Sequence, residues 1–175
     1  MTGEFWTTMP SPVGELLLTA TDAGLTRVWF EQHRHGTRTL HEWTRADGSS
    51  DAVRILGDAR MQLEEYFAGA RRAFDLPLAV QGTSFQRRVW DALRGIPFGE
   101  TISYLELARR VGDPRAVRAV GGANGRNPVS IVVPCHRVIG ADGSLTGFGG
   151  GTERKRWLLE HEGARIAPAE LALGL

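Results

Sequence analysis

This 175-residue chain has one cysteine, Cys135, and one lysine, Lys155. A single cysteine excludes an internal disulfide and fits a reducing cytoplasm. No apolar stretch approaches the roughly 18 to 20 residues that span a bilayer. The start, Met1-Thr2-Gly3-Glu4-Phe5-Trp6, lacks a basic segment followed by an apolar one, so no signal peptide is expected. The expectation is a cytoplasmic protein without a membrane partner. Net charge is only +1, but its distribution is uneven. Residues 1–80 hold 8 basic against 11 acidic side chains, whereas residues 81–137 hold 9 arginines against 4 acids. Arginine's planar fork suits phosphate, so a polyanion is a candidate partner for the second half. A GC-rich genome explains arginine richness equally well. Repeats and low-complexity tracts are absent. His33, His35 and His41 have no cysteine nearby and no carboxylates at ligand spacing, so they read as a solvated loop and no metal site is expected.

The charge shift predicts two domains, 1–80 and 81–175. In the first, Gly14 to Thr21 and Leu25 to Phe30 flank Asp22-Ala23-Gly24, the pattern of strand, tight turn and strand. Leu56, Ala59, Leu63, Tyr66 and Phe67 recur at helical spacing between Asp51 and Phe67, with Gly69 as the stop. Ala73 to Leu78 reads as one more strand. The fold expected is α+β, a small antiparallel-sheet domain followed by a mainly helical one.

The second half carries clearer punctuation. Thr83-Ser84-Phe85-Gln86 and Ser103-Tyr104-Leu105-Glu106 are both capping-box sequences, opening helices to about Gly95 and Val111. Gly112-Asp113-Pro114 supplies a turn, an N-cap and an N1 proline for a third helix ending around Gly121 to Gly125. Two short helices joined by a glycine-containing turn form a helix-turn-helix pattern, which also occurs in proteins that never touch DNA. The second of these helices presents Arg115 and Arg118, with Arg126 just past its end. Ala116, Ala119, Gly121, Gly122 and Ala123 leave few long polar side chains for reading base edges. Close approach to a backbone suits it better than sequence-specific readout. A last helix is expected from Thr152 to His161.

Between these helices lies Ile131-Val132-Val133-Pro134-Cys135-His136-Arg137-Val138. The β-branched run reads as a buried strand delivering Cys135 into a turn. Spacing alone leaves two readings of Cys135 open. It is either a small buried hydrophobe or a nucleophile whose proton the adjacent imidazole takes.

Arg118-Ala119-Val120-Gly121-Gly122-Ala123, Asn127-Pro128 and Pro134-Cys135-His136-Arg137-Val138 together resemble the O6-alkylguanine-DNA alkyltransferases. Trp157-Leu158-Leu159-Glu160-His161-Glu162-Gly163 is similar to the same family, and the likeness covers roughly 83–163 in detail. The resemblance implies direct DNA repair, in which Cys135 accepts the alkyl group of O6-alkylguanine by in-line displacement. O4-alkylthymine is a further candidate substrate. His136 would take the thiol proton through a water, and Glu162 would support the imidazolium. Asn127 would tie the turn before Cys135 to the helix-turn-helix, and Tyr104 would donate to N3 of the departing guanine. The Val138 carbonyl would accept from the guanine amino group, Phe148 would stack on the base, and the Gly149 N–H would point at O6. The target base is buried in duplex DNA and must be flipped out. Arg118 would fill the vacated stack from the minor groove, with Ala119, Gly121, Arg115 and Arg126 completing the DNA contact.

By the same resemblance the reaction needs no cofactor and consumes the protein, because the thioether is stable. The partner would be double-stranded DNA with weak sequence preference, bound by a monomer associated with a bacterial nucleoid, with cooperative binding left open. Phe148 stands where a tyrosine is common, so one hydrogen bond to the lesion is missing. The cysteines with which some relatives bind zinc in the amino-terminal domain are absent. Three alternatives compete: a lesion-flagging alkyltransferase-like protein, a helix-turn-helix regulator and a cysteine hydrolase. Retention of Cys135, His136 and Glu162 disfavours the first, the alanine-glycine helix the second, and the absence of a turnover residue the third.

Overall fold

The computed structural model describes residues 3–32, 44–45 and 47–166. His33, His35 and His41 lie outside the described residues. The chain divides into two compact units, Met1–Gln81 with Pro128–Val132 and Gly82–Asn127 with Val133–Leu175. The first unit therefore takes five residues from well beyond the sequence position where the charge changes.

In the first unit, β1 (Phe5–Met9), β2 (Leu16–Thr21) and β3 (Gly24–Phe30) form an antiparallel meander. The two-residue β4 (Thr44–Arg45) adds to the outer edge of β1 in parallel, giving the order β3-β2-β1-β4. Leu16, Leu17, Leu18 and Ala20 of the central β2 are completely buried, as suits a strand paired on both sides and covered by a helix. That helix is α1 (Asp51–Phe67), capped by Ser50, whose hydroxyl accepts from the Val53 N–H. Its buried stripe of Ala52, Ile55, Leu56, Ala59, Leu63 and Tyr66 packs on β1, β2 and β3.

The strand expected over Ala73–Leu78 is reduced to a single bridge, Leu25 to Leu78. Gly24 permits the close approach there: a Cβ on it would fall 2.8 Å from both the Leu78 carbonyl carbon and the Pro77 oxygen. The strand expected over Ile131–Val133 is also absent. Pro128 and Ser130 pair instead with Val28, whose N–H donates to the Pro128 oxygen at 2.9 Å. The Val132 N–H then reaches back to the Ser130 oxygen at 2.9 Å, closing a three-residue turn with Ile131 at φ 73°. A β-branched residue at positive φ is a strained conformation. The Ile131 side chain is 1% exposed, so burial holds it there.

The second unit is built on α2 (Ser84–Leu93), α3 (Tyr104–Val111), α4 (Val117–Gly125) and α5 (Thr152–His161). The Thr83–Gln86 capping box is present in both directions, at 3.0 and 3.1 Å. The Ser103 hydroxyl caps α3, but Glu106 turns outward to Arg110 rather than completing a box. Gly112 ends α3 in the left-handed conformation at φ 99°. α4 starts at Val117, three residues later than Pro114 promised. Asp113 accepts from the Arg115 N–H at 3.0 Å, a local turn that leaves Pro114 and Arg115 outside the helix. The indole N–H of Trp90 on α2 donates to the Ala123 carbonyl of α4 at 2.9 Å, tying the helices together in the interior. A two-stranded parallel pair, β5 (Ile102–Ser103) with β6 (Val138–Ile139), sets the start of α3 beside the chain that follows Cys135.

Candidate active site

Cys135 is placed by two tight turns rather than by a strand. Pro134 sits at φ −84°, ψ 63°, and the Cys135 N–H donates to the Val133 oxygen at 2.9 Å, an inverse γ-turn. One 3-10 turn, Cys135–Arg137, follows and leads into β6. The fixed φ of proline suits the first turn, and the second aims successive side chains in different directions.

Asn127 spans the loop before the cysteine, its amide donating to the Val133 oxygen at 2.7 Å. Asn124 on α4 donates to the Cys135 carbonyl at 3.3 Å. The end of the helix-turn-helix and the cysteine turn are thus connected by two buried amides. Cys135 is 3% exposed. Burial pushes its thiol above the ordinary range, a rise that hydrogen bonding from Asn127 and the Lys155 charge partly offset. The resting sulfur is a thiol.

The next residue is His136. Its ring is fully buried, with Nε2 and Glu162 Oε1 2.7 Å apart. Its Nδ1 is buried and has no hydrogen-bond partner among the described residues. With the Nε2 proton held by the carboxylate, Nδ1 carries the free lone pair. Burial lowers the imidazole below its usual range even though Glu162 pulls it upward, so the ring is neutral at rest. Glu162 caps α5 and its side chain has no solvent exposure. Burial alone would raise its carboxyl. His136 and Arg137 outweigh that and hold it well below the usual carboxylate range. The Gly99 N–H also donates to Oε2, at 3.3 Å.

Tyr104 is the first residue of α3, and its hydroxyl donates to the Thr146 carbonyl at 2.5 Å. Burial, and then the proximity of Cys135, push the phenol up to about 12, so it remains a donor. The same carbonyl takes a second bond from Lys155 Nζ at 2.8 Å, and Nζ also donates to the Val138 oxygen at 2.5 Å. Gly147 fits against this cluster because it has no side chain: at φ 73°, a Cβ would lie 2.5 Å from the Tyr104 oxygen. Phe148 is 6% exposed and Gly149 half-buried on the same loop.

On the helix-turn-helix, Arg115, Arg118, Ala119 and Arg126 are exposed, while Gly121 is half-buried. The Arg115 side chain pairs with Asp113 at 3.6 Å. Gly121 lies where α4 passes the Tyr104 ring, a Cβ there meeting ring carbons at 3.8 and 3.9 Å.

Two family descriptions cover most of the chain: "6-O-methylguanine DNA methyltransferase, ribonuclease-like domain" over residues 5–80 and "6-O-methylguanine DNA methyltransferase, DNA binding domain" over 84–164. The chain belongs to this methyltransferase family. It is 51% identical over 167 residues to a methylated-DNA--protein-cysteine methyltransferase of Mycobacterium tuberculosis, covering 95% of this chain and 96% of the relative. A protein of the same name from Haemophilus influenzae is 44% identical over 163 residues, covering 93% and 88%. The crystal structure of Mycobacterium tuberculosis OGT in complex with DNA superposes with a TM-score of 0.82 at 48% identity, covering 97% of this chain and 98% of that one.

Within the second unit His136 and Glu162 form one buried pair, Asn127 holds the turn that carries Cys135, and Tyr104 and Val138 meet through Thr146 and Lys155. Sequence reasoning missed three residues here. Arg137 clamps Glu162, Lys155 is a buried cation (0% exposed) behind Val138 and Thr146, and Asn124 braces the cysteine turn. Lys155 carried a signal in being the only lysine of an arginine-rich chain, and Arg137 in directly following Cys135-His136. For Asn124 the sequence holds no cue.

Proposed function

We propose that this protein repairs alkylated DNA by moving the alkyl group from O6 of guanine to Cys135, once per molecule. One observation carries the reading: a buried thiol directly precedes an imidazole whose Nε2 is fixed to Glu162 at 2.7 Å and whose Nδ1 has no hydrogen-bond partner among the described residues. That is a nucleophile, a base and an orienting carboxylate in sequence. The thiol proton passes to Nδ1 through a bridging water. The sulfur attacks the alkyl carbon in line, the S–C bond forms, the C–O6 bond breaks, and the electron pair leaves with the purine. Tyr104 stabilises that departing anion by donating to N3, exchanging Thr146 for the base. The proton held by His136 returns to the purine system, so the products are a neutral thioether and guanine.

The base reaches the thiol only outside the stack. Arg118, exposed on α4 among small residues, takes its place from the minor groove, and Arg115 and Arg126 hold phosphates. The Val138 carbonyl, the Gly149 N–H and the Phe148 ring receive the base. Val138 already accepts from Lys155, and a carbonyl oxygen has a second lone pair for the guanine amino group. The protein acts as a monomer in the bacterial cytoplasm, and no cofactor is needed because the nucleophile is the final acceptor. Among the described residues, no helix is long and apolar enough to cross a membrane.

The test is to incubate the protein with duplex carrying radiolabelled O6-methylguanine and to count label on protein. Transfer close to one per molecule, abolished by Cys135→Ala, is expected. Binding without transfer, or repeated turnover, would overturn the reading.

A further inference from the structure

Glu162 binds two basic side chains, the His136 imidazole and the Arg137 guanidinium, and the proposed mechanism uses only the first. Arg137 Nε donates to Oε2 and Nη2 to Oε1, both at 2.9 Å, a two-pronged clamp on the carboxylate that the imidazole also uses. Nη1 donates to the Ile96 carbonyl at 2.7 Å, and the guanidinium lies 5.8 Å from the Phe98 ring centroid. The side chain is 7% exposed. Two of these nitrogens grip Glu162, and the Ile96 and Phe98 contacts hold the guanidinium in place for that grip. Oε1 is shared between His136 Nε2 and Arg137 Nη2, so the field at the imidazole is that of a neutralised carboxylate.

We propose that Arg137 is a positioning residue of the alkyl-transfer site, holding Glu162 against His136 and offsetting its charge so that the imidazole stays a neutral proton acceptor. A carboxylate 2.7 Å from a buried ring and unopposed would favour the imidazolium. An imidazolium has no lone pair at Nδ1 and cannot take the thiol proton. Arg137 removes that bias while leaving the Nε2 bond that fixes the tautomer. Lysine could not do the same work, since a point charge cannot grip both carboxylate oxygens in plane. The other ionisable groups of the site are Lys155 from α5, Cys135 on the same 3-10 turn and Tyr104 from α3. Lys155 acts on the ring in the same sense as Arg137 but binds Val138 and Thr146, not the carboxylate.

This inference rests on the alkyl-transfer reading, and its readout is separable from it. The experiment follows the His136 ring nitrogens by NMR titration in the full-length protein and measures single-turnover transfer from O6-methylguanine duplex across the same pH range. For Arg137→Gln the His136 midpoint should rise by about one pH unit or more. The acid limb of the transfer rate should move with it. Arg137→Lys keeps the charge, so its midpoint should stay near that of the unchanged protein while the transfer rate falls at all pH values. An unchanged midpoint in folded Arg137→Gln would overturn the proposal. If only the lysine variant folds, a full-unit rise there would overturn it too, because the charge is still present. Failure of the unchanged protein to transfer alkyl would refute the alkyl-transfer reading alone, with the His136 midpoints still readable.

Discussion

Glu162→Gln should destabilise the protein far more than an isosteric change normally does. The carboxylate accepts four bonds: from His136 Nε2 at 2.7 Å, from two Arg137 nitrogens at 2.9 Å each, and from the Gly99 N–H at 3.3 Å. An amide offers one oxygen and turns its NH₂ toward a guanidinium that is 7% exposed and has nowhere else to place its charge. Breaking a buried ion pair by removing one partner costs about 3–5 kcal/mol. At about 2–4 °C per kcal/mol for a chain of this size, thermal unfolding should shift down by roughly 6 to 20 °C. The pH dependence has a definite sign. The folded carboxyl lies well below the range of its unfolded counterpart, so its stabilisation is complete above about pH 5 and is lost as pH falls. The gap between the two proteins should be constant from pH 7 to 5.5 and narrow below about 4.5, since the amide has no proton to gain. Urea unfolding at each pH measures it. Arg137→Met in both backgrounds completes a cycle in which the double variant loses less than the sum of the singles, by about 0.5–3 kcal/mol. A cost under about 1 kcal/mol, or a gap flat down to pH 3, would refute the reasoning.

Arg118→Ala should weaken repair of duplex DNA more than reaction with the free base O6-benzylguanine, because only the duplex must be unstacked. Equal losses on both substrates would rule out a stack-filling role. Phe148→Tyr should tighten lesion binding modestly in a competition assay with unlabelled lesion duplex, and no change would make the missing hydroxyl immaterial. Burial pulls the Lys155 amine down to about 8, against an unfolded value of 10.5. Between those pH values the unfolded chain binds more protons, so this residue adds up to about 3 kcal/mol of stability as pH rises. Lys155→Met should lack that rise, so the stability difference between the two proteins should climb across the window. A flat difference would mean that the amine is not desolvated. At Ile131, φ 73° predicts an inversion of the usual order: Ile131→Gly should be at least as stable as Ile131→Ala, because both lose the buried side chain but only glycine relieves the strain. Urea midpoints decide it, and a clearly more stable alanine variant would contradict the strained turn.

The elements legible in the sequence are those whose cause is local. The Thr83–Gln86 box, the Ser103 cap, the Gly112 stop and the periodic stripe of α1 each lie within a few residues of what they control, and the structure contains all of them. The elements missed or misread share the opposite property. β1 exposes no clean alternation, four of its five residues being half-buried, and it exists because β2 pairs with it. Ile131-Val132-Val133 has strand propensity, but the backbone of Pro128 and Ser130 is already committed to Val28, leaving Ile131 to turn. Pro114 promised a helix start that Asp113 diverted into a turn.

The site divides along the same line. The Pro134–Val138 motif and the Ser103 cap single out Cys135, His136 and Tyr104 as candidates. Arg137, Lys155 and Asn124 act on groups brought to them by the fold: Glu162 lies 25 residues from Arg137, and Val138 lies 17 from Lys155. A charge fully buried in a helix core is costly unless it is paired. Being the lone lysine, or following Cys135-His136, singles these two out among 21 basic residues but does not say that they are buried. What distinguishes them is the acceptor each one meets. Arg137 meets the carboxylate that also holds His136. Lys155 donates to two carbonyls and lies 5.8 Å from the Tyr104 ring centroid, and under the alkyl-transfer reading its counter-charge is a Cys135 thiolate. On the alkyl-transfer reading proposed above, the fold thus holds one cation matched at rest and one whose anion forms only during the reaction, the electrostatic arrangement that favours a transition state over a resting thiol.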